Sequence, residues 1–274
     1  MKSIYDIEVI KSFISLCEDG NSKNWHERNG GNLTYRLSDS DVDKLRVYFS
    51  THQNDWIPIR VKADNLTNEF FIVTGSGKYF KNIKLAPQYN FGIVEINDRG
   101  DAYRIVWGLE NGGVPTSEFE SHLLNHNAKK NVSDEYRVIY HAHCPNIIAM
   151  TFIVPLKAKD FSNILWKMAT ECPVVFPSGV GVVDWMVPGG PEIALESSKL
   201  MALYDAIVWA HHGLFCAGKT LDETFGLMDT IEKAADIFLK IKSSGLQMIN
   251  SITDDDIRAI GKAFKVQINE DFLD

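Results

Sequence analysis

The order of secondary-structure signals along the chain is the feature that most narrows its fold. Between residues 32 and 108, four short apolar or alternating runs indicate strands: NLTYRLS, FFIVTG, FGIVEIN and AYRIVWG. Beyond Pro115, helical patterns alternate with further strands, and two helices complete the sequence. This order predicts an α/β protein whose sheet is largely antiparallel in its first half and covered by helices on both faces.

Apolar spacing and cap residues predict the remaining elements. Apolar residues recur at helical spacing from Ile4 to Cys17, and Gly20 is predicted to end this first helix. Ser117 and Glu120 have the spacing of a capping box at the start of a later helix. Further helices are predicted at 117–130, 161–169, 192–204, 220–245 and 253–264, and further strands at 137–143, 173–183 and 205–213.

Composition and charge limit the classes of protein and partner. The 274 residues are 45% hydrophobic and contain no linker or repeat, so we expect a single domain over residues 1–274. A formal net charge of −8 argues against nucleic acid or an anionic membrane as a main partner. No run approaches the roughly 18 apolar residues of a membrane span, and no signal-peptide pattern opens the chain, so we expect a cytoplasmic protein. The four cysteines lack any C-x-x-C pair, which predicts reduced thiols.

The stretch YHAHCPN places two histidines at the end of a predicted strand. Side chains at i and i+2 of a strand share a face, so His141 and His143 point the same way, and Pro145 prevents continuation of the strand. Catalytic zinc commonly takes three protein ligands, and WAHHG offers a third in His211 or His212. Alternation alone does not choose between these two. The alternative is that all are ordinary, partly buried histidines.

A second histidine pair, His122 and His126, lies four residues apart and shares one face of a predicted helix. The spacing resembles the H-x-x-x-H of helical zinc sites. However, Leu123 stands where the informative H-E-x-x-H pattern has glutamate. We therefore interpret this pair as a surface or packing feature.

The stretch VPTSE carries the candidate carboxylate. A helix starting here would leave Thr116, Ser117 and nearby N–H groups able to hold an anion, with Glu118 in the first turn beside them. The alternative is that Glu118 only complements the helix dipole.

Two glycine-rich stretches, RNGGNLT and TGSGK, adjoin strands. Taken alone, both are interpreted as turns, because neither has P-loop spacing.

Together, eight stretches in the same order resemble the zinc-dependent class II aldolase and sugar-phosphate epimerase family over nearly the whole chain. They are ERNGGNLT, FIVTGSGK, VPTSE, HAH, TEC, VVFPSGVG, WMVPG and HHG followed by TLDETFGLMDT. The resemblance implies a three-layer α/β/α sandwich around a mostly antiparallel sheet, in a cytoplasmic homotetramer with one zinc ion per subunit. It also implies cleavage of L-rhamnulose 1-phosphate to dihydroxyacetone phosphate and L-lactaldehyde. Residues 38–69 match the family poorly, and nothing is carried over to them.

The same resemblance implies roles for individual residues. His141, His143 and His212 would bind zinc, and Glu118 would act as the general acid/base. Glu171, in TEC, would be a second carboxylate near the aldehyde, reached across a subunit boundary. The implied phosphate-binding set is Asn29, Asn32, Ser76, Gly77, Thr116 and Ser117.

These residue types suit a retro-aldol reaction. Breaking the C3–C4 bond requires removal of the C4 hydroxyl proton and a sink for the electrons of the bond. Zinc on three neutral imidazoles keeps its positive charge and would stabilise the enediolate, so no lysine Schiff base is needed. The alternatives on the same scaffold are fuculose-1-phosphate cleavage, 4-epimerisation of a pentulose 5-phosphate such as ribulose 5-phosphate, dehydration of methylthioribulose 1-phosphate, or a non-catalytic binding or assembly module.

Overall fold

The computed structural model describes residues 3–51 and 55–274 of the chain. Nine strands within these residues are β1 (Asn32–Arg36), β2 (Ile57–Pro58), β3 (Phe70–Thr74), β4 (Phe91–Ile96), β5 (Ala102–Gly108), β6 (Val138–Ala142), β7 (Gly181–Val183), β8 (Ala206–Trp209) and β9 (Gly213–Gly218). They form one sheet in the order β2-β5-β4-β3-β1-β6-β9-β8-β7. Neighbouring strands are antiparallel except β7 and β8, which run parallel. The prediction of a mixed α/β protein with a mostly antiparallel sheet is confirmed.

Ten α-helices lie in the described part of the chain: α1 (Glu8–Ser22), α2 (Asp39–Leu45), α3 (Pro87–Asn90), α4 (Phe119–Val132), α5 (Pro145–Met150), α6 (Ala158–Trp166), α7 (Cys172–Val175), α8 (Pro191–Met201), α9 (Leu221–Ser244) and α10 (Asp254–Phe264). The long helix α9 begins where the Thr220 hydroxyl accepts the N–H of Glu223, and it ends at Gly245 in the left-handed conformation. Among the described residues, no helix combines the length and apolarity that crossing a membrane requires.

The central strands separate different sets of buried apolar side chains. Val138 and Tyr140 of β6 pack in one cluster with α1 and α9, whereas Ile139 packs in another with α8. Leu123 of α4 belongs to a third cluster, together with Phe71 of β3. This alternation follows from the pleat, which sends successive side chains to opposite faces.

Three element predictions are wrong. The strand predicted at 173–183 is a helical turn over Cys172–Val175, because Pro173 suits the first turn of a helix, and only Gly181–Val183 is a strand. The strand predicted at 205–213 ends at Trp209, and a tight turn leads into β9. The first helix does not end at Gly20, where an added Cβ would lie 2.1 Å from Tyr140 Oη. This glycine therefore allows close packing of α1 on β6 rather than ending the helix.

A buried carboxylate of α9 holds the segment that follows β6. Glu232 accepts hydrogen bonds from the backbone N–H of Asn146 (2.9 Å) and Ile147 (3.0 Å), and from Asn146 Nδ2 (2.8 Å). These backbone groups belong to the first turn of α5, whose own N-cap residue makes no side-chain cap bond. A negative charge at a helix N-terminus is favourable. Glu232 thus fixes the start of α5, directly after the histidines of YHAHCPN.

We expect Glu232→Ala to lower the free energy of unfolding by about 2–4 kcal/mol, because buried N–H groups lose a charged acceptor. The matched control is Asp236→Ala on the same helix, which removes a largely exposed pair with Lys240 and should cost less than about 1 kcal/mol. Urea denaturation at equal protein concentration measures both. Equal stabilities of the two variants would contradict this capping role.

Candidate metal centre

Three histidines from two chain segments meet where the interior strand β6 ends beside the turn between β8 and β9. One ring nitrogen from each of His141, His143 and His212 lies within 4.8 Å of the other two. The ring centroids are 4.9, 5.0 and 5.2 Å apart. His141 lies in β6 and His143 directly beyond its end, so both side chains point to the same side of the strand.

The turn between β8 and β9 determines which histidine of WAHHG joins the cluster. His212 donates its backbone N–H to Trp209 O at 3.1 Å, which closes the turn. His211 takes the left-handed conformation and places its Nδ1 2.9 Å from Thr151 Oγ1. Gly213 then passes so near β6 that an added Cβ would lie 2.4 Å from Ala142 O. This close approach brings His212 beside the two histidines that follow β6.

Hydrogen bonds orient two of the rings. His141 Nδ1 donates to Leu214 O (3.1 Å), and His143 Nδ1 donates to the Glu27 carboxylate (2.6 Å). A neutral imidazole that donates from Nδ1 keeps its lone pair on Nε2. Among the described residues, the buried His141 Nε2 has no hydrogen-bond partner. Carboxylate and carbonyl partners of this kind commonly orient histidines that bind a metal.

Burial favours the neutral form of two of the three imidazoles. Burial, and then the neighbouring histidines, hold the pKa of His141 far below its usual range. The same two causes lower the pKa of His212 to about 4. Three imidazoles with one ring nitrogen each this close together are a donor set that zinc takes in catalytic sites. These three residues therefore fit a divalent cation.

The Glu118 carboxylate faces the cluster. Its Oε2 is 3.5 Å from His141 Nε2, and its Oε1 is 3.7 Å from His212 Nε2. Asn32 Nδ2 donates to Oε2 at 2.7 Å. Burial raises the pKa of the Glu118 carboxyl, while the bond from Asn32 acts in the opposite direction. A buried carboxylate beside a cation site is suited to general acid–base chemistry.

The capping box predicted for Ser117 and Glu120 is wrong. Helix α4 begins at Phe119, Glu118 occupies the N-cap position, and no side chain of that residue caps the helix. Glu120 instead bonds Arg60, with Nε 3.0 Å from Oε1. Glu118 thus precedes the first turn rather than lying in it, and its side chain reaches back to β1.

Four of the predicted phosphate-binding residues lie in two segments that are joined by a backbone bridge. Gly75 and Pro115 pair as an isolated β-bridge at the end of β3. In the residues that follow, Gly77 and Ser117 are exposed, Ser76 is half-buried and Thr116 is buried. Because the bridge is antiparallel, the residues after Gly75 and those after Pro115 run in opposite directions from it. Ser76 donates its backbone N–H to Val114 O and Thr116 donates its backbone N–H to Thr74 O, both at 2.9 Å. The phosphate-binding role of these four residues stays a prediction.

The other predicted site residues are placed differently. Asn29 is exposed in the loop before β1, two residues after the Glu27 that bonds His143. Asn32 is buried, and both ends of its amide already bond protein groups. Glu171 is exposed ahead of α7, and none of the hydrogen bonds or ion pairs of the described residues joins it to the histidine cluster. Their proposed roles stay predictions.

Two further residues, Glu27 and Thr34, hydrogen-bond to histidines near the site and were not predicted from the sequence. Glu27 lies within the ERNGGNLT stretch, and an acidic residue beside a histidine cluster was the available signal. Thr34 shares a strand face with Asn32 at spacing i+2, and its Oγ1 lies 2.8 Å from both His122 Nδ1 and His126 Nε2. These two histidines are fully buried, so they are a packing feature and not a surface one.

Comparisons with known proteins agree with this geometry. The family described as Class II Aldolase and Adducin N-terminal domain matches residues 11–239. A rhamnulose-1-phosphate aldolase of Listeria monocytogenes serotype 4a is 41% identical over 99% of this chain and 98% of the relative. The protein of that name from Klebsiella pneumoniae subsp. pneumoniae is 42% identical over 100% of this chain and 99% of the relative.

Solved structures show the same fold at lower identity. A sugar-phosphate aldolase from Thermotoga maritima superposes with a TM-score of 0.69 at 23% identity, covering 89% of this chain and 98% of that one. An L-fuculose 1-phosphate aldolase gives a TM-score of 0.61 at 21% identity, covering 97% and 98%. The fold, the family match and the full-length relatives agree, and the chain belongs to the class II aldolase and adducin N-terminal domain family.

Proposed function

We propose that this chain is a zinc-dependent aldehyde-lyase that cleaves L-rhamnulose 1-phosphate to dihydroxyacetone phosphate and L-lactaldehyde, a step of L-rhamnose catabolism. The observation that carries the proposal is the Glu118 carboxylate lying 3.5 and 3.7 Å from two of three clustered imidazoles. The choice of substrate follows the names of relatives that are 41–42% identical over nearly their whole length.

The histidine cluster is proposed to hold the zinc ion. His141, His143 and His212 would each supply one ring nitrogen. When bound, zinc would supply a positive charge that stabilises the negative charge developing on substrate oxygens. Glu27 and Leu214 O would keep two of the rings oriented.

Glu118 is proposed to carry the proton at C3 of the sugar. In cleavage, the C4 hydroxyl loses its proton to solvent and becomes the carbonyl of L-lactaldehyde, the C3–C4 bond breaks, and the electron pair stays with C3 as an enediolate. Glu118 would then deliver a proton to C3, which gives dihydroxyacetone phosphate. In the condensation direction it would remove that proton again. Glu171 of a neighbouring subunit is proposed to lie near the aldehyde.

The residues that follow Gly75 and Pro115, together with Asn29 and Asn32, are proposed to bind the substrate phosphate. Exposed hydroxyls and backbone N–H groups are suitable donors for a phosphate dianion. Anchoring the phosphate would hold the reacting bond over the histidines and reduce the entropic part of the barrier. The proposed set is Asn29, Asn32, Ser76, Gly77, Thr116 and Ser117.

We also infer a single domain over residues 1–274 with a three-layer α/β/α architecture, assembled as a homotetramer. Separate apolar clusters on the two faces of the sheet support the layers. Large apolar side chains that are more than half exposed support assembly, among them Phe152, Ile153, Trp185 and Val187. The cytoplasmic location stays a prediction.

Zinc-loaded protein should release dihydroxyacetone phosphate from L-rhamnulose 1-phosphate faster than from L-fuculose 1-phosphate. A coupled assay that reduces dihydroxyacetone phosphate measures both rates. Preference for the fuculose ester would replace the proposed substrate. Release from neither sugar would instead favour the epimerase, the dehydratase or a non-catalytic module.

Glu118→Gln should leave zinc content unchanged and lower kcat by roughly a hundredfold or more, because the amide cannot carry the C3 proton. Glu120→Gln is the matched control, since its carboxylate bonds Arg60 outside the cluster and its kcat should stay within about twofold. Steady-state kinetics with elemental analysis provide the comparison. Near wild-type turnover in Glu118→Gln would remove that residue from the role.

His212→Ala should lower zinc content well below one ion per subunit and abolish cleavage. His211→Ala should retain zinc, because its ring bonds Thr151 instead of facing the cluster. A chelator should abolish activity of the wild-type protein, and added zinc should restore it. Cleavage that persists in metal-free protein would point to an imine formed on a lysine.

A further inference from the structure

A buried chain of hydrogen bonds runs from helix α4 through strand β1 to Glu118. Asn32 Nδ2 bonds Glu118 Oε2 (2.7 Å), and Asn32 Oδ1 bonds His122 Nε2. Thr34 Oγ1 lies 2.8 Å from His122 Nδ1 and 2.8 Å from His126 Nε2. Every member is at most 7% exposed. The reaction proposed above uses Glu118 as the acid/base and Asn32 in the phosphate-binding set, and it gives no role to Thr34, His122 or His126.

The local geometry of two elements creates the chain. Asn32 and Thr34 are i and i+2 on β1, so they share the face of the sheet that α4 covers. His122 and His126 are i and i+4 on α4, so they share the helix face turned to that strand. Strand and helix periods thus place two pairs of polar side chains opposite each other.

The chemistry of the groups fixes the direction of every hydrogen bond. A carboxylate only accepts, so the Asn32 amide donates to Glu118, and its carbonyl oxygen accepts from His122 Nε2–H. Neutral His122 then accepts at Nδ1 from the Thr34 hydroxyl. The same hydroxyl accepts from His126 Nε2–H.

Burial is consistent with this single arrangement. Burial lowers the pKa of His122 to about 3 and that of His126 far below its usual range, so both rings are neutral near pH 7. His126 Nδ1, the lone-pair end of the chain, has no partner among the described residues. All bond dipoles in the chain therefore point their positive ends toward Glu118.

We propose that His126, Thr34, His122 and Asn32 form a positioning chain that holds the Glu118 carboxylate in its orientation over the histidine cluster. A glutamate side chain has three rotatable bonds, and only a few rotamers bring its oxygens near the cluster. A directed donor from a rigid strand selects one of them. The hydroxyl of Thr34 is the central link, because it joins both helix histidines to the strand.

This inference rests on the proposed acid/base role of Glu118, and its test isolates the proton step. Solvent deuterium exchange at the hydroxymethyl carbon of dihydroxyacetone phosphate, without aldehyde, reports proton removal alone. Thr34→Val keeps size and strand preference but deletes the hydroxyl. It should slow exchange and cleavage about tenfold or more while KM stays within about twofold, since a small misplacement of a catalytic group is costly.

Two variants separate positioning from folding. Thr34→Ser restores a hydroxyl and should recover kcat to within about threefold of wild type. Thr224→Val deletes a buried hydroxyl that donates to Thr220 O, outside the chain, and should leave kcat within about twofold even if thermal stability falls. Equal losses of kcat in both valine variants, or no recovery in Thr34→Ser, would overturn the proposal. If Thr34→Val does not fold, His126→Phe is the substitute, because it removes the hydrogen bond between His126 and Thr34 and places an aromatic ring beside Phe71. An unchanged deuterium-exchange rate in His126→Phe would also overturn the proposal.

A second measurement does not depend on catalysis. Imidazole ¹⁵N spectra of metal-free protein should show His122 and His126 protonated at Nε2, and Thr34→Val should shift the Nδ1 signal of His122. A His122 ring protonated at Nδ1 instead of Nε2 would contradict the proposed hydrogen-bond chain. Absence of exchange in the wild-type protein would defeat the proposed function, while these spectra would still decide whether the chain exists. Deuterium exchange without cleavage of L-rhamnulose 1-phosphate would rule out that substrate and leave the acid/base role of Glu118 standing.

Discussion

The antiparallel pairing of β1 with β6 is the interaction on which the site depends. In its register Asn32 lies directly opposite His141, and Thr34 opposite Ile139. Residues paired across neighbouring antiparallel strands put their side chains on the same face, about 5 Å apart. A proposed zinc ligand and the amide that holds Glu118 therefore share one surface. A slip of one residue would send one of them to the other face.

Burial makes that surface chemically useful. The face carries imidazoles held neutral by desolvation and a carboxylate whose pKa is raised for the same reason. Charge interactions are stronger in such a medium than in water. The polar groups hydrogen-bond to one another, which lowers the free-energy cost of burying them. His141 Nε2 has no hydrogen-bond partner in the described structure, and it points toward the place where a cation would be held.

Periodicity within one segment predicted correctly those features that a single strand or helix determines. It failed for features that depend on contacts with other elements. The shared face of His141 and His143 needed only the strand period. The wrong strand at 173–183 came from an apolar run that Pro173 starts as a helix instead. The capping box of Ser117 and Glu120 had the right spacing, but α4 begins one residue later than that box requires, and the Glu120 carboxylate bonds Arg60 instead. Alternation could not choose between His211 and His212, because a tight turn interrupts the strand between them and the sheet.

The amino-acid sequence by itself determined the α/β order of elements, the family resemblance and the candidate site residues, because periodicity and short motifs are local properties. The family resemblance named His212 as the third histidine, but only the tertiary structure shows the turn that separates it from His211. Only the tertiary structure shows the hydrogen bond from Asn32 to Glu118. The tertiary structure also shows that His122 and His126 belong to a buried hydrogen-bond network with Thr34. The physical reason is that strand register and helix-on-sheet packing join groups about 90 residues apart in the chain, and no spacing within one segment encodes such a contact.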